Sequence, residues 1–440
     1  MLAALSQPLG STLDLQRRGE LAPAIGRGFE EALGRKPDPD DLETWRSVLP
    51  LVLGVAAEAI PHSAHVFVEC PLPFNGQRID LVFLGGSSGT PSAHLVELKH
   101  WQQSDESRLR TFVEVAGHPT LHPSYQVLSY SGKLKHLHSF GPSMEIDQSA
   151  VILDGLGSHS AVLAPKFRRQ LEAAPAYFAP DLGGFGERLS RGMTQGVRAE
   201  WVEALIRGEY AQSDRLLQMV REHQGEILQR SAEVLAASGW GLTEDQQLVH
   251  DEVLEAIERG ERAVFCVSGG PGSGKSLLAM HVFLESIGLG RRTILAVRNN
   301  RLNASLRDIL ESEVTGAQGM IKYFSAGNAG VEDDSRLVAD VLVCDEAQRL
   351  ALKSPNVFLR APVVVLVYDE NQILNAAERG TSTNLEGMAR RVGVAPSMRA
   401  LPTPVRCRGG ARYLAWVRVS AHEERQDRLM GNTPIGGWNT

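Results

Sequence analysis

Two short stretches carry residues whose types and spacing suit chemistry on phosphates. In one, Gly269-Gly270-Pro271-Gly272-Ser273-Gly274-Lys275-Ser276 fits the pattern G-x-x-x-x-G-K-[ST]. Small residues let backbone N–H groups approach an anion closely, and a helix opening there presents unpaired amides and its positive dipole end. Lys275 then reaches the β- and γ-phosphates of a nucleotide, and the Ser276 hydroxyl ligates Mg2+. In the other stretch, Asp80 precedes Glu97-Leu98-Lys99. Alternate residues of a strand face one side, so Glu97 and Lys99 project together; Asp80 meets Glu97 if the two runs close as a hairpin. Paired carboxylates repel until a hard divalent cation, Mg2+ or Mn2+, sits between their oxygens. Such an ion polarises a phosphodiester and lowers the pKa of bound water, while an adjacent ammonium orients that water or stabilises developing charge.

Positioning these groups takes two sets of elements. For the carboxylates, residues 40–60 read as a helix, with Trp45, Leu49, Val52 and Val55 in approximate phase and Pro50 as an interruption. His65–Cys70, Arg78–Leu84 and Ala93–Lys99 read as strands, with GGSSGTPS as a loop between the last two. His122-Pro123 opens a helix to about His138, which sets Gln126 and Tyr130 four residues apart on one face, and Ser149–Leu153 is a further strand. The first 35 residues or so give no clear pattern. Residues 162–196, rich in Pro, Gly and Arg, lead out of this region, and Ser213–Ser238 reads as an amphipathic helix ended by Gly239. For the glycine-rich turn, Ala263–Val267 is a buried-looking strand before it. Thr293–Val297, Val341–Cys344 and Pro362–Val367 are further apolar strands. The third of these four ends in Asp345-Glu346-Ala347-Gln348 and the last in Tyr368-Asp369-Glu370-Asn371-Gln372. A carboxylate pair closing a buried strand suits one residue, Asp345, holding Mg2+ through water and the next, Glu346, orienting or deprotonating the attacking water.

These residues carry two resemblances. NGQRIDLVF, VELKHW and QVLSY resemble the PD-(D/E)XK nuclease family over about residues 40–155, with Asp80, Glu97 and Lys99 at its metal and catalytic positions and Gln126-x-x-x-Tyr130 like the Q-x-x-x-Y motif of its exonuclease-like branch. The family's first-helix glutamate has Glu58 or Glu69 as candidates, although an ordinary surface role suits either. Residues 240 to about 418 resemble the first RecA-like domain of superfamily 1 helicases, and within that group the Schlafen-type helicase-like proteins. Leu242-Thr243-Glu244-Asp245-Gln246 is similar to the motif whose glutamine reads adenine. Gln372 is similar to the γ-phosphate-sensing glutamine. Arg406 matches a motif arginine that stabilises transferring phosphoryl charge, in a P-V-R context where the family has Q-F-R. The basic stretch with Arg298, Arg301 and Arg307 falls where such enzymes touch single strands.

Composition bounds the rest. The chain has 440 residues, room for two or three domains, with 43% hydrophobic and 22% charged residues, as in soluble globular proteins. Its net charge of −7 confines any nucleic-acid surface to a local patch. Cys70, Cys266, Cys344 and Cys407 are widely separated without a C-x-x-C pair, which points to a reducing, cytoplasmic setting. No apolar run reaches the roughly 18 residues of a membrane span, and no internal repeat is visible. His100, His118, His122, His136 and His138 match no metal-ligand spacing and read as core or surface histidines. Lys133 and Lys135 suit either a phosphate contact or a solvated helix face.

The expectation is α/β twice: a restriction-endonuclease-like domain (1–190), a helical connector (191–238) and a RecA-like P-loop NTPase domain (239–440). The functional expectation is a metal-dependent nuclease on DNA, or alternatively RNA, gated or powered by ATP and serving defence against foreign nucleic acid. Alternatives are an ATP-switched binding module with an inactive nuclease fold, or one half of a helicase. Since about 150 further residues are usual for a second motor lobe, three expectations stand: the chain is a truncated product, a homo-oligomer or second subunit completes its ATPase site, or it hydrolyses NTP without unwinding.

Overall fold

The computed structural model describes residues 3–72, 77–101, 103–153, 161–179, 181–210, 233–297, 321–322, 331–332, 339–373 and 377–402. Arg298, Arg301, Arg307 and Arg406, and most of the 213–238 helix expected from the sequence, lie outside the described residues.

A mixed six-stranded sheet organises the first half of the chain. Its strands are β1 (Leu5–Pro8), β2 (His65–Pro71), β3 (Arg78–Ser87), β4 (Thr90–His100), β8 (Glu145–Leu153) and β9 (Ala176–Phe178), in that spatial order. Pairing is antiparallel from β1 to β4, then parallel from β4 through β8 to β9. The expected GGSSGTPS loop is instead strand almost throughout. β3 and β4 run on to Ser87 and Thr90, and the turn is only Ser88-Gly89, both at positive φ (52° and 83°), as a two-residue hairpin demands. The silent N-terminal stretch forms β1 and helices α1 (Leu9–Arg17) and α2 (Leu21–Leu33). Leu21, Ile25 and Phe29 recur at helical spacing on the buried face of α2. Helix α3 (Pro39–Ala59) matches expectation and carries Pro50 inside it. Trp45, Val48, Leu49, Val52 and Leu53 bury against one face of the sheet, with α6 (Gly183–Gly192) beside them. Helix α4 (Pro123–Leu137) packs on the other face, with Tyr125, Val127, Leu128, Tyr130 and Leu134 in that core. A small sheet of β5 (Asp105–Glu106), β6 (Phe112–Val115) and β7 (His118–Leu121), unforeseen in the sequence, lies between β4 and α4 in the chain. Beyond β8 come the short α5 (Arg168–Ala173) and α7 (Ala199–Arg207). Met193 joins the α3 core, and Trp201 and Leu205 join the α4 core.

The second half is an α/β layer built on a parallel sheet. β10 (Ala263–Gly269), β11 (Thr293–Ala296), β12 (Ile321–Lys322), β13 (Val341–Cys344), β14 (Val363–Tyr368) and β15 (Ser397–Leu401) stand in the order β12-β11-β13-β14-β10-β15. Every neighbouring pair in it is parallel, and β13 and β14 are buried along their whole length, as a sheet covered on both faces requires. Helices α8 (Glu244–Arg259) and α9 (Lys275–Gly288) cover one face. Helix α10 (Ser382–Arg391) contributes Leu385 and Ala389 to the core on the other. Cys70, Cys266 and Cys344 are buried free thiols.

The two halves meet along α4, α8 and α9. Gly132 of α4 abuts a π-helical turn at Ala236–Trp240, and a Cβ there would stand 2.2 Å from the Ala236 carbonyl oxygen, so only glycine allows this approach. Arg110 pairs with Glu258 of α8 and, at 2.9 Å, with Glu285 of α9. His250 of α8 lies between Asp251 (Nδ1 to Oδ1, 3.0 Å) and Glu285 (Nε2 to Oε2, 3.2 Å), with the His281 ring 6.0 Å away. Burial opposes the His250 charge, but the bonds to Asp251 and Glu285 outweigh it and raise its pKa from 6.5 to about 9. Burial likewise opposes ionisation of Glu285, and the His250 bond overcomes it, drawing its pKa from 4.5 to about 2. Stability contributed by His250 is therefore complete below about pH 6.5 and disappears as pH rises through about 9, whereas that of Glu285 disappears as pH falls from 4.5 through about 2. Urea midpoints of the intact chain should fall between pH 6.5 and 9, and His250→Gln should flatten that slope. An equal slope in both proteins contradicts the assignment.

Candidate functional site

The glycine-rich turn joins β10 to α9. Gly272 and Gly274 adopt φ of 75° and 79°, and Gly274 caps the helix from the left-handed region. The first helical bond runs from Leu278 N to Gly274 O, which leaves the amides of residues 275–277 without an intrahelical partner. Lys275 folds back over the loop, donating to the carbonyls of Gly269 (2.7 Å) and Gly270 (2.8 Å), with Asp369 Oδ2 3.7 Å away. Burial lowers its pKa against the pull of Asp369 and Asp345. Ser276 stands near Asp345, a buried carboxyl at the end of β13 whose pKa is raised by burial against the opposing pull of Ser276. Glu346 follows in the left-handed region (φ 58°), its amide donating to Asp345 Oδ1 and its carboxylate 2.9 Å from Arg349 Nε. Gln372 ends a single 3-10 turn after β14. Strand order alone brings these residues to one rim, because β10, β13 and β14 are adjacent and parallel and their C-terminal ends coincide.

Gln246 departs from expectation. Rather than facing an open base site, its side chain is 1% exposed and engaged within the protein. Its Oε1 accepts from Thr243 N (2.9 Å) as half of a capping box, and its Nε2 donates to Ser273 O in the loop (2.7 Å). Asp369 joins this rim without belonging to the expected set of site residues. It is 2% exposed, its Oδ2 finds no hydrogen-bond partner, and its amide donates to Gln348 Oε1 (3.2 Å). The available signal was an acidic residue directly after the all-apolar β14.

The second cluster sits on the antiparallel strands. Leu81 pairs with Val96, so one step further brings Asp80 beside Glu97. There the Asp80 carboxylate takes the place of a ladder carbonyl and accepts Leu98 N at 2.8 Å. Glu97 is 1% exposed; Lys99 Nζ donates to its Oε1 at 2.7 Å, and its Oε2 is buried with no hydrogen-bond partner. Burial and then the Asp80 charge push the Glu97 carboxyl up to about 8. Burial raises Asp80 as well, against the opposing pull of Lys99 and Leu98 N–H. Gln126 Nε2 donates to the buried Tyr130 hydroxyl (2.8 Å), and Glu97 contributes to the raised pKa of that phenol after burial itself. The α4 pair thus stands close behind the carboxylates. A cavity of about 780 Å3 opens in front, with Asp41, Glu69, Arg78, Asp80, Lys99 and Trp101 on its walls.

Glu58 is exposed, whereas Glu69 is buried and belongs to this wall, so a surface role is excluded for Glu69. It sits in β2 where the pairing to β3 skips a step, between Val68↔Leu81 and Cys70↔Ile79, at φ 55°; it accepts from Trp45 Nε1 (2.8 Å) and pairs with Arg78, which also pairs with Asp41. Burial and the neighbouring Asp80 raise its pKa to about 8. Among the described residues no three His, Cys, Asp or Glu side chains converge as a ready-made metal cage. His122 is a structural cap, accepting Ser124 N at Nδ1 and facing Val162 O through Nε2. Lys133 and Lys135 are not a solvated face: they donate to Gln77 Oε1 and Met144 O.

Comparison with known proteins bears on the second half of the chain. Residues 262–432 match the family model described as Schlafen group 3, DNA/RNA helicase domain. This segment is similar to a helicase domain. No curated protein matches the chain. Among solved structures, AMPPCP-bound DnaA from Aquifex aeolicus aligns at 20% identity over 38% of this chain and 50% of that one, with a TM-score of 0.22. Domain III of the Thermotoga maritima replication initiation protein DnaA aligns at 14% identity over 37% and 65%, again with a TM-score of 0.22. The chain therefore spans less than two thirds of either. No helix among the described residues is long and apolar enough to cross a membrane.

Removing Glu69 strands the buried Trp45 Nε1–H and leaves Arg78 with Asp41 as its remaining carboxylate. Glu69→Ala should lower unfolding free energy by about 3 kcal/mol in urea titration; a loss below about 0.5 kcal/mol contradicts this account of the wall.

Proposed function

We propose that this chain is a metal-dependent nuclease, acting on DNA or RNA, whose cleavage is controlled by ATP binding and hydrolysis in its helicase-like P-loop domain. In this reading the first domain is restriction-endonuclease-like and the setting is defence against foreign nucleic acid, as the two family resemblances imply. One observation carries the nuclease half. Glu97 is buried beside Asp80 with a carboxylate oxygen that no protein group satisfies, and buried anions of this kind are paired, neutral or cation-bound. Asp80 and Glu97 are suited to hold Mg2+ or Mn2+, because such ions commonly take one or two carboxylates and complete their shells with water and substrate phosphate. The ion would supply Lewis acidity and a more acidic bound water. Lys99, held by Glu97 at 2.7 Å, would orient the attacking water or stabilise charge on the scissile phosphate. Gln126 and Tyr130 fix one another and support the buried side of the cluster.

In the P-loop domain, Lys275 would leave its two loop carbonyls for the nucleotide phosphates. Gly269 to Gly274, apart from Pro271, would supply backbone donors, and Ser276 and Asp345 would face Mg2+. Glu346 would orient the attacking water, with Gln372 on the same rim to sense the γ-phosphate and Arg406 as the proposed phosphoryl-stabilising cation. A second reading, a nucleotide-switched binding module that does not cleave, is favoured by the absence of a three-residue metal cage among the described residues.

Supercoiled and single-stranded substrates incubated with Mn2+ or Mg2+, with and without ATP, test both readings. Wild type should cleave, Asp80→Ala should lose at least about 100-fold in rate, and Lys275→Ala should cleave without responding to ATP. Undiminished cleavage by Asp80→Ala overturns the nuclease assignment, and binding without cleavage under either metal selects the module.

A further inference from the structure

Helix α8 is bound at its N-terminal end to the phosphate loop and along its flank to the first domain. Gln246 donates to Ser273 O, inside the loop. One residue on, Gln247 Oε1 accepts the Tyr125 hydroxyl (2.8 Å), and Gln247 Nε2 donates to Asp251 Oδ1 (2.9 Å). Asp251 Oδ2 accepts both the amide (2.7 Å) and the hydroxyl (2.8 Å) of Thr111, while Glu244 accepts Leu121 N (3.2 Å). Gln246, Gln247, Asp251 and Tyr125 are each at most 1% exposed. A second limb starts from the same loop: α9 begins at Lys275 and presents Glu285 to Arg110, the neighbour of Thr111. Tyr125 adjoins Gln126 on α4, the helix that backs Asp80 and Glu97 through Tyr130.

Such a seam has little slack. Buried polar groups that satisfy one another hold a single alignment, and displacing one strands its partners in a dry interface. A nucleotide that draws the loop amides onto its phosphates alters the setting of Ser273, and with it the Gln246 bond. It thereby interacts differently with two positions of α8, the condition for shifting an equilibrium.

We propose that α8 transmits occupancy of the phosphate loop to α4, with Gln247, Asp251 and Tyr125 as positioning residues that set the Gln126–Tyr130 pair against the carboxylate cluster. This rests on the nuclease reading only for its consequence; the coupling itself is measurable without cleavage.

Amide exchange of the full chain, with Mg2+ and a non-hydrolysable ATP analogue, is the test. In wild type the analogue should change protection of residues 123–137 at least about 5-fold, the lower end of common allosteric couplings. In Tyr125→Phe/Asp251→Asn that change should fall below about 2-fold, while analogue affinity and protection of residues 275–288 stay within about 2-fold of wild type. Tyr125→Phe alone, which removes one hydroxyl, should weaken the α4 response and serves if the double variant fails to fold. The proposal is overturned if wild type does not bind the analogue, if residues 123–137 do not respond when it binds, or if the response persists undiminished in the variants. Cleavage that survives Asp80→Ala, with the α4 response intact, refutes the nuclease reading and leaves this coupling standing.

Discussion

A carboxylate sealed away from water must be neutral, paired or bound to a cation, and the wall around Glu97 is arranged under that constraint. Three strands bring Glu69, Asp80 and Glu97 into one electrostatic neighbourhood, where each raises the cost of ionising another. The protein relieves part of this with cations of its own. Arg78 serves Glu69 and Asp41, and Lys99 serves Glu97. The relief is incomplete on Glu97, whose second oxygen is unmet. A purely structural cluster would gain from closing that gap, so the gap is the feature that argues for a ligand.

The phosphate loop poses the converse problem, an excess of donors awaiting an anion. Its lysine is held by carbonyls of its own loop and by a distant aspartate, bonds that a nucleotide can replace. Between the phosphate loop and the carboxylate cluster runs the seam of α8 and α9, polar and buried at Gln247, His250 and Asp251. Its groups come from residues more than a hundred positions apart, such as Thr111 with Asp251 and Tyr125 with Gln247. The two halves of the chain are thus joined by directional bonds rather than by apolar contact alone, which favours one relative alignment over many.

How much of this was legible follows from how local each signal is. The glycine-rich turn is a contiguous pattern with an apolar strand before it, and the parallel sheet read directly from apolar runs ending in acids. Asp80 and Glu97 were legible by strand alternation, though the hairpin was tighter than the Gly/Ser composition implied, because Ser88 and Gly89 alone make the turn. Glu69 was not legible as a wall residue, since a left-handed backbone at φ 55° sets its direction and its partners are Trp45, Arg78 and, through Arg78, Asp41. Helix α2 left a readable trace in Leu21, Ile25 and Phe29 that short flanking elements obscured. The strands of the β5–β7 sheet are too short, at two to four residues, for alternation to register. The inward turn of Gln246 depends on Ser273, 27 residues away, and no motif records it.

The most direct test of the central claim is a count of Mn2+ ions bound to the nucleotide-free chain, read by the free-Mn2+ electron paramagnetic resonance signal. The account predicts a Mn2+ site that survives Ser276→Ala and is lost in both Asp80→Ala and Glu97→Gln. Equal Mn2+ binding by all four proteins would contradict it.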